Sequence, residues 1–238
     1  MTKKIAILLT AILLLLCAIG VFYSYDNGNR LLTSEHHFAF TPDTIIQSLD
    51  SGKKNVFSLG STDIWLEETS PYPYSVSWDQ SEYLKIADAV HQFVWNESIS
   101  EWHLKTMSFS LQCKNTNAGL QVAHFNFSKA RISLDGISYV VHQIDIYPSR
   151  MLVNVWEWVY KGYDGPLGLD LSHIVISAKD AVMIAERNGG LANHSSDEEA
   201  CSISVILSQS FAGNRWDIRY SPSYFKISID AKTGEIAK

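Results

Sequence analysis

From Asp79 onward apolar residues recur with two periods: near 3.6 in two stretches, and two in the runs that follow each of them. The chain therefore reads as two sets of strands, each preceded by a helix. In the first stretch Tyr83, Ile86, Ala87, Val90, Phe93 and Val94 fall on one face, wide enough to cover a sheet, and Asp79 with Glu82 forms a capping box at its start. Strand character follows at His103–Gln112, Leu120–Phe127, Ala130–Leu134, Tyr139–Tyr147 and Met151–Tyr160, with Asn115–Gly119 and Tyr147–Arg150 as turns.

A second helix is predicted over Ile176–Gly190, then strands at Ser202–Leu207 and Arg215–Tyr220. In the last strand Phe225, Ile227 and Ile229 alternate with Lys226, Ser228 and Asp230, the pattern of a strand with one face buried. Lys232-Thr233-Gly234 supplies a turn, with Gly234 free to take a positive φ, before Glu235-Ile236 resumes an extended path. Between Asp26 and Gln80 the Ser, Thr, Pro and Asn content predicts loops. Within them fall a helix at Pro42–Leu49, short strands at Val56–Leu59 and Ile64–Leu66, and a turn at Ser70–Tyr74.

Ahead of all this, Ile5 to Tyr25 holds no charged residue, and its 21 residues span roughly 30 Å as a helix, the thickness of a bilayer's hydrocarbon core. Lys3 and Lys4 before it and Asp26 behind it place the N-terminus in the cytoplasm and the bulk outside. An uncleaved anchor is the first reading. Ala18-Ile19-Gly20 offers the small residues of a signal-peptidase site, so secretion after cleavage is the alternative. Leu16, where a small residue should stand, speaks against a lipid anchor on Cys17.

The expected fold is α+β: antiparallel sheets, each with a helix on one face, preceded by one N-terminal transmembrane helix. The segments are 1–25 as anchor or signal, 26–160 as an extracytoplasmic α+β region, and 172–238 as a second unit after the Gly- and Pro-rich Lys161–Leu171. Asp88-Ala89-Val90 recurs as Asp180-Ala181-Val182, and Arg131-Ile132-Ser133-Leu134-Asp135 as Lys226-Ile227-Ser228-Ile229-Asp230, which suggests two related helix-plus-sheet units, the first extended by the Tyr139–Tyr160 hairpin.

The stretch from Ile174 to Lys238 resembles a PepSY domain, the module of thermolysin-like peptidase propeptides and of many bacterial envelope proteins. ISAKDAVMIAERNGG, SISVIL, RWDIRY and the closing FKISIDAKTGEI carry the resemblance. These are turn-forming and core residues, so the resemblance implies a fold, an envelope address and a role in modulating a peptidase. No His-Glu-x-x-His motif is present, so any action on a peptidase is in trans.

With 46% hydrophobic and 12% aromatic residues, the 238-residue chain has ample material for a core. Its net charge of −6, with no basic stripe, excludes a nucleic-acid partner. Cys113 and Cys201 are left to pair in an oxidising compartment or to stay as buried thiols.

No residue is assigned a catalytic, metal-binding or cofactor-binding role. His36 and His37 point to opposite faces of an extended chain and lack a third ligand. His91 borders the apolar helix face, while His103, His124 and His142 lie in strands of unknown order. No Gly-x-Ser-x-Gly elbow, activating Ser-x-x-Lys or phosphate-binding glycine loop appears. Glu157 between Trp156 and Trp158, and Asp217 beside Trp216, suggest a sugar site. By alternation, however, Trp156, Trp158 and Tyr160 read as core beneath a helix, as do Trp216, Ile218 and Tyr220, with Glu157, Asp217 and Arg219 on the wet side. Asn96, Asn126 and Asn193 match the glycosylation pattern, which matters only in a eukaryotic secretory pathway.

The expectation is a non-enzymatic, membrane-tethered envelope protein that binds another protein, a peptidase under the resemblance. A small-ligand or cell-wall sensor is the alternative, and a hydrolase with a site assembled from scattered residues the third reading.

Overall fold

Eight strands, each antiparallel to its neighbours, form one continuous sheet in the order β1-β5-β4-β3-β2-β6-β7-β8. The computed structural model describes residues 30–39, 42–52, 79–115, 120–133, 136–161, 168–194, 201–210 and 213–237. The strands are β1 (Arg30–Ala39), β2 (His103–Gln112), β3 (Leu120–Ser133), β4 (Gly136–Tyr147), β5 (Leu152–Lys161), β6 (Ser202–Ser210), β7 (Gly213–Ser221) and β8 (Lys226–Asp230). Among the described residues three α-helices accompany them: α1 (Pro42–Asp50), α2 (Gln80–Trp95) and α3 (Ala178–Ala185).

The α+β class is as expected, but a single sheet replaces the separate sheets. The β2–β6 pairing, Met107 opposite Leu207 through Gln112 opposite Ser202, runs the two sets of strands together. β1 went unforeseen, since its sequence RLLTSEHHFA does not alternate cleanly. A register irregularity between Leu32 and Ser34 shifts its side chains. Ala130–Leu134, expected as a separate strand, instead continues β3 as far as Ser133. The apolar segment Ile5–Tyr25, the strands at Val56–Leu59 and Ile64–Leu66, and the turn at Ser70–Tyr74 lie outside the described residues. No described helix is long and apolar enough to cross a membrane.

Both major helices lie on one face of the sheet. Asp79 caps α2 by accepting from the Ser81 N–H, and the helix buries Tyr83, Ile86, Ala87 and Val90. Ser177 caps α3, which buries Ala178, Ala181, Val182 and Ala185. Under them lie Phe109, Phe125, Val155, Val205, Trp216 and Ile218, all within 1% of full burial. The indole of Trp216 donates to the Ile176 carbonyl (2.8 Å), pinning the entry of α3 to β7. Gln80, first in α2, accepts from the N–H of Ala178, first in α3, at 2.7 Å.

Cys113, just past β2, and Cys201, just before β6, form a disulfide with Cα atoms 5.4 Å apart. The closing turn follows its sequence. Gly234 has φ +78°, and the Asp230 carboxylate accepts from the N–H groups of Lys232 and Thr233. Ile236 then bridges back to Ile229.

The internal match in the sequence pairs strands that are not equivalent. Arg131–Ser133 ends the second strand after α2, whereas Lys226–Asp230 is the third strand after α3. Asp88 lies in the middle of α2, while Asp180 sits in the first turn of α3.

Candidate functional site

The registers decide which side chains meet. His142 on β4 stands opposite Phe127 on β3 and Glu157 on β5, so all three share the helix-covered face. There His142 lies between two indoles, with ring centroids 3.7 Å from Trp95 and 4.0 Å from Trp102. Its Nδ1 is 2.8 Å from His91 Nε2, and its Nε2 is 3.0 Å from Glu157 Oε2. His91 Nδ1 donates to the Glu97 carbonyl at 2.7 Å, and Thr33 donates to Glu157 Oε1 at 2.6 Å.

An acceptor closes each end of this chain. Its three hydrogen bonds therefore need three ring protons, and two neutral imidazoles hold two. Burial and then the facing His91 work against the third, pushing His142 down to about 4, and burial lowers His91 as well. Burial alone would raise Glu157, but the bonds from Thr33 and His142 outweigh it and hold its carboxyl below the usual range. Trp102 and Lys129 close the rim: the indole donates to Glu97 (2.9 Å), and the ammonium reaches Glu97 (3.1 Å) and Glu101 (3.0 Å).

Glu157 is thus not on the wet side, and Trp156, Trp158 and Tyr160 are not core beneath a helix. β5 reads Val153, Val155, Glu157, Val159 on one face and Leu152, Asn154, Trp156, Trp158, Tyr160 on the other. Both rows are mostly apolar, so alternation alone does not choose between them. The pairing of Val155 with Ile144, beneath the helices, does.

The opposite face carries a different set. By register, one row crosses the whole sheet: His37, Asn154, Asp145, His124, Ser108, Ile206, Asp217 and Ser228. His37 Nδ1 bonds Asn154 Oδ1 at 2.7 Å, and His124 Nδ1 donates to Asp145 while its Nε2 accepts from Asn126 at 2.9 Å. Trp156 donates to Glu35 at 2.7 Å. Asp217 accepts from Ser208 and Ser228, both at 2.5 Å, and its Oδ1 stands 3.1 Å from Arg215 Nε. These partners outweigh burial and hold the Asp217 carboxyl below its usual range.

Of the residues singled out in the sequence, His91, His142 and Glu157 come together, and so do His37 and His124 through Asn154 and Asp145. His36 and His103 are exposed on their own strands. Asp217 keeps its expected place away from the helices, and Trp216, Ile218 and Tyr220 theirs beneath them. Trp95, Trp102, Asp145 and Asn154 were not legible as site residues, because packing of α2 and the connection after it onto β4 brings the two indoles to His142, and cross-strand register brings Asp145 to His124 and Asn154 to His37. No three His, Cys, Asp or Glu side chains among the described residues are placed to hold a metal ion. No model of a known family matches the chain, and no curated protein matches it either.

Proposed function

We propose that this chain is a membrane-tethered, extracytoplasmic binding protein without catalytic activity, and that its partner is another envelope protein, a peptidase whose action it modulates. The observation that carries this reading is the ordered polar row on the face away from the described helices. His37, Asn154 and Asp145 are buried in it, while His124, Ser108, Asp217 and Ser228 are half-buried, with half-buried Trp156 beside it. The histidines of the covered face are occupied: both ring faces of His142 pack on indoles, and both its nitrogens face His91 and Glu157. The disulfide supports an oxidising compartment, and with it the export of the chain.

The PepSY-like reading of 172–238 is supported by element order, since α3, β6, β7 and β8 fall where the resemblance places a helix and three strands. Two related units are supported by topology. Four antiparallel strands follow α2 and three follow α3, and the first three after α2 correspond in order to the three after α3. The order β4-β3-β2-β6-β7-β8 then places them symmetrically about the β2–β6 pair, with the helix starts joined through Gln80 and Ala178. The edges suggest how a protein partner docks. The chain's own C-terminal residues bond along β8, Asp230 N to Glu235 O and Ala237 N to Ser228 O. β1 is the other edge among the described strands, where an added strand would extend the sheet.

The test is crosslinking of the full-length chain in its own membranes, with the captured protein identified and its proteolytic rate measured with and without added chain. A peptidase slowed or redirected by the chain supports the reading; a peptidase indifferent to it removes that part. A second reading, a cell-wall or small-ligand sensor, is favoured by one observation: half-buried Trp156 stands directly opposite half-buried Gln143, a pair suited to stacking on and hydrogen bonding a sugar ring. Retention of cell-wall glycan that is lost in Trp156→Ala would favour it.

A further inference from the structure

The hairpin joining β3 to β4 runs past its neighbours. β2 begins at His103, opposite Ser128, yet β3 and β4 continue to pair from Lys129 opposite Val140 out to Ser133 opposite Gly136. On the face away from the helices this extension bears Ile132, 83% exposed, and Ile137, 54% exposed, paired directly across the strands. A cross-strand pair of isoleucines held out in water at a hairpin tip adds nothing to the core.

The same end of the sheet receives the chain from its N-terminal segment. Arg30 begins β1 opposite Tyr160, and Tyr160 pairs with Tyr139, which pairs with Ala130. Arg30 thus lies on a row only two residues short of Ile132, about 7 Å along the strand. Tyr25, last residue of the uncharged segment, is five residues before Arg30, a span of no more than about 18 Å even fully extended. If Ile5–Tyr25 spans the bilayer, the hydrocarbon boundary lies within that distance of this row. With the strands pointing at the bilayer, the isoleucines stand about 7 Å beyond that row and lie within the headgroup layer, roughly 5–8 Å thick, when the five-residue connection spans less than about 15 Å.

The neighbouring residues suit that layer. Tyr139 and Tyr160 stand side by side one step behind the isoleucines, as aromatic residues do at membrane interfaces. Arg131 is exposed on the tip, placed for lipid phosphates.

We infer that the β3–β4 hairpin tip is a second membrane contact, inserting Ile132 and Ile137 into the outer leaflet beside the anchor. This rests on the tethered reading proposed above. It fixes the sheet with its strands pointing at the bilayer, β1 nearest the anchor and β8 farthest from it along the sheet, so that the β7–β8 turn is the part held farthest into the envelope.

The test uses the full chain, with Cys17→Ser to remove the thiol of the N-terminal segment, reconstituted into vesicles of phosphatidylcholine and phosphatidylglycerol. An environment-sensitive fluorophore is placed at Ile132→Cys, and in a second protein at Tyr224→Cys, an 87% exposed site on the β7–β8 turn at the other end of the strands. Alkaline extraction of the same vesicles reports the anchor separately. The expected result is a chain that resists extraction, with the label at 132 blue-shifted, quenched by spin-labelled lipid, and several-fold less accessible to aqueous iodide than the label at 224. An extraction-resistant chain whose two labels are equally open to iodide overturns the hairpin contact and leaves the anchor standing. Release of the chain by alkali overturns the anchor, and the tether argument with it.

Discussion

The imidazole of His142 lies flat against the indole of Trp95, with ring centroids 3.7 Å apart and planes within 7°. An imidazolium in that position quenches indole emission, so the protonation of His142 has an optical readout. The unfolded chain takes up this proton near 6.5, and burial with the neighbouring His91 holds the folded ring down to about 4. Between those values the unfolded state binds more protons. Stability is therefore fully present above about 6.5 and is lost as pH falls toward 4, by up to about 3 kcal/mol. Glu157, held low by its partners, acts in the same direction at the acid end. Chemical unfolding at pH 7 and pH 4.5 should show the loss, and His142→Gln should flatten it. Tryptophan emission of the folded protein should fall as pH drops through about 4, less so in Trp95→Phe. A pH-independent midpoint would mean that the ring is not enclosed as described.

The disulfide closes a long loop, Cys113 and Cys201 being 88 residues apart in sequence. In the chain-entropy account a loop of that length restricts the unfolded state by between 4 and 5 kcal/mol, so about 3–5 kcal/mol of stability should be lost on removing it. Cys113→Ala with Cys201→Ala, compared with wild type by denaturant titration, measures this. Export into a compartment lacking disulfide catalysts should lower the yield of wild type but not of the double variant. An unchanged midpoint in the double variant would remove the disulfide from the account of stability.

How far the sequence foretold this depends on whether a residue's role is local. The cap at Asp79, the turn at Gly234 and the buried row Trp216, Ile218, Tyr220 follow from a few neighbours, and all were legible. β5 was legible as a strand but not in its orientation. With Val153, Val155 and Val159 on one side and Trp156, Trp158 and Tyr160 on the other, both faces read as apolar. The decision rests on β4, more than ten residues away, whose Ile144 pairs with Val155. Glu157 was misplaced for the same reason. The His91–His142 contact joins a helix to a strand, and no spacing within either announces it. β1 escaped notice because the irregularity at Leu32–Ser34 breaks its alternation.

Asp217 ties three strands together on the face away from the helices, accepting from Ser208 on β6 and Ser228 on β8 beside Arg215 on its own strand. Its lowered pKa means that its contribution is present above about 3.8 and is lost as pH falls through the folded value below that. Asp217→Asn keeps the shape but replaces an acceptor oxygen with a donor, and should cost about 1–2 kcal/mol. The loss should be concentrated in hydrogen-exchange protection of β7 and β8. Equal loosening across all eight strands would show that the sheet unfolds only as a whole.

Gly190 ends the turn after α3, where the chain passes over Tyr220. A β-carbon there would stand 2.3 Å from Tyr220 Oη, 2.6 Å from Cζ and 2.9 Å from the Ala185 carbonyl. Tyr220 cannot step aside at low cost, because its ring is buried and its hydroxyl donates to Glu186 at 2.8 Å. The backbone at Gly190 has ordinary helical angles, φ −56° and ψ −49°, so the constraint is close approach and not conformation. Gly190→Ala should therefore destabilise by about 2–3 kcal/mol. Tyr220→Phe alone should cost about 1 kcal/mol through its lost hydrogen bond. Since that change removes the oxygen but leaves Cζ in place, the double variant should recover only part of the Gly190→Ala loss. Full recovery would place the clash on the hydroxyl alone, and a neutral Gly190→Ala would show that the turn after α3 shifts freely away from β7.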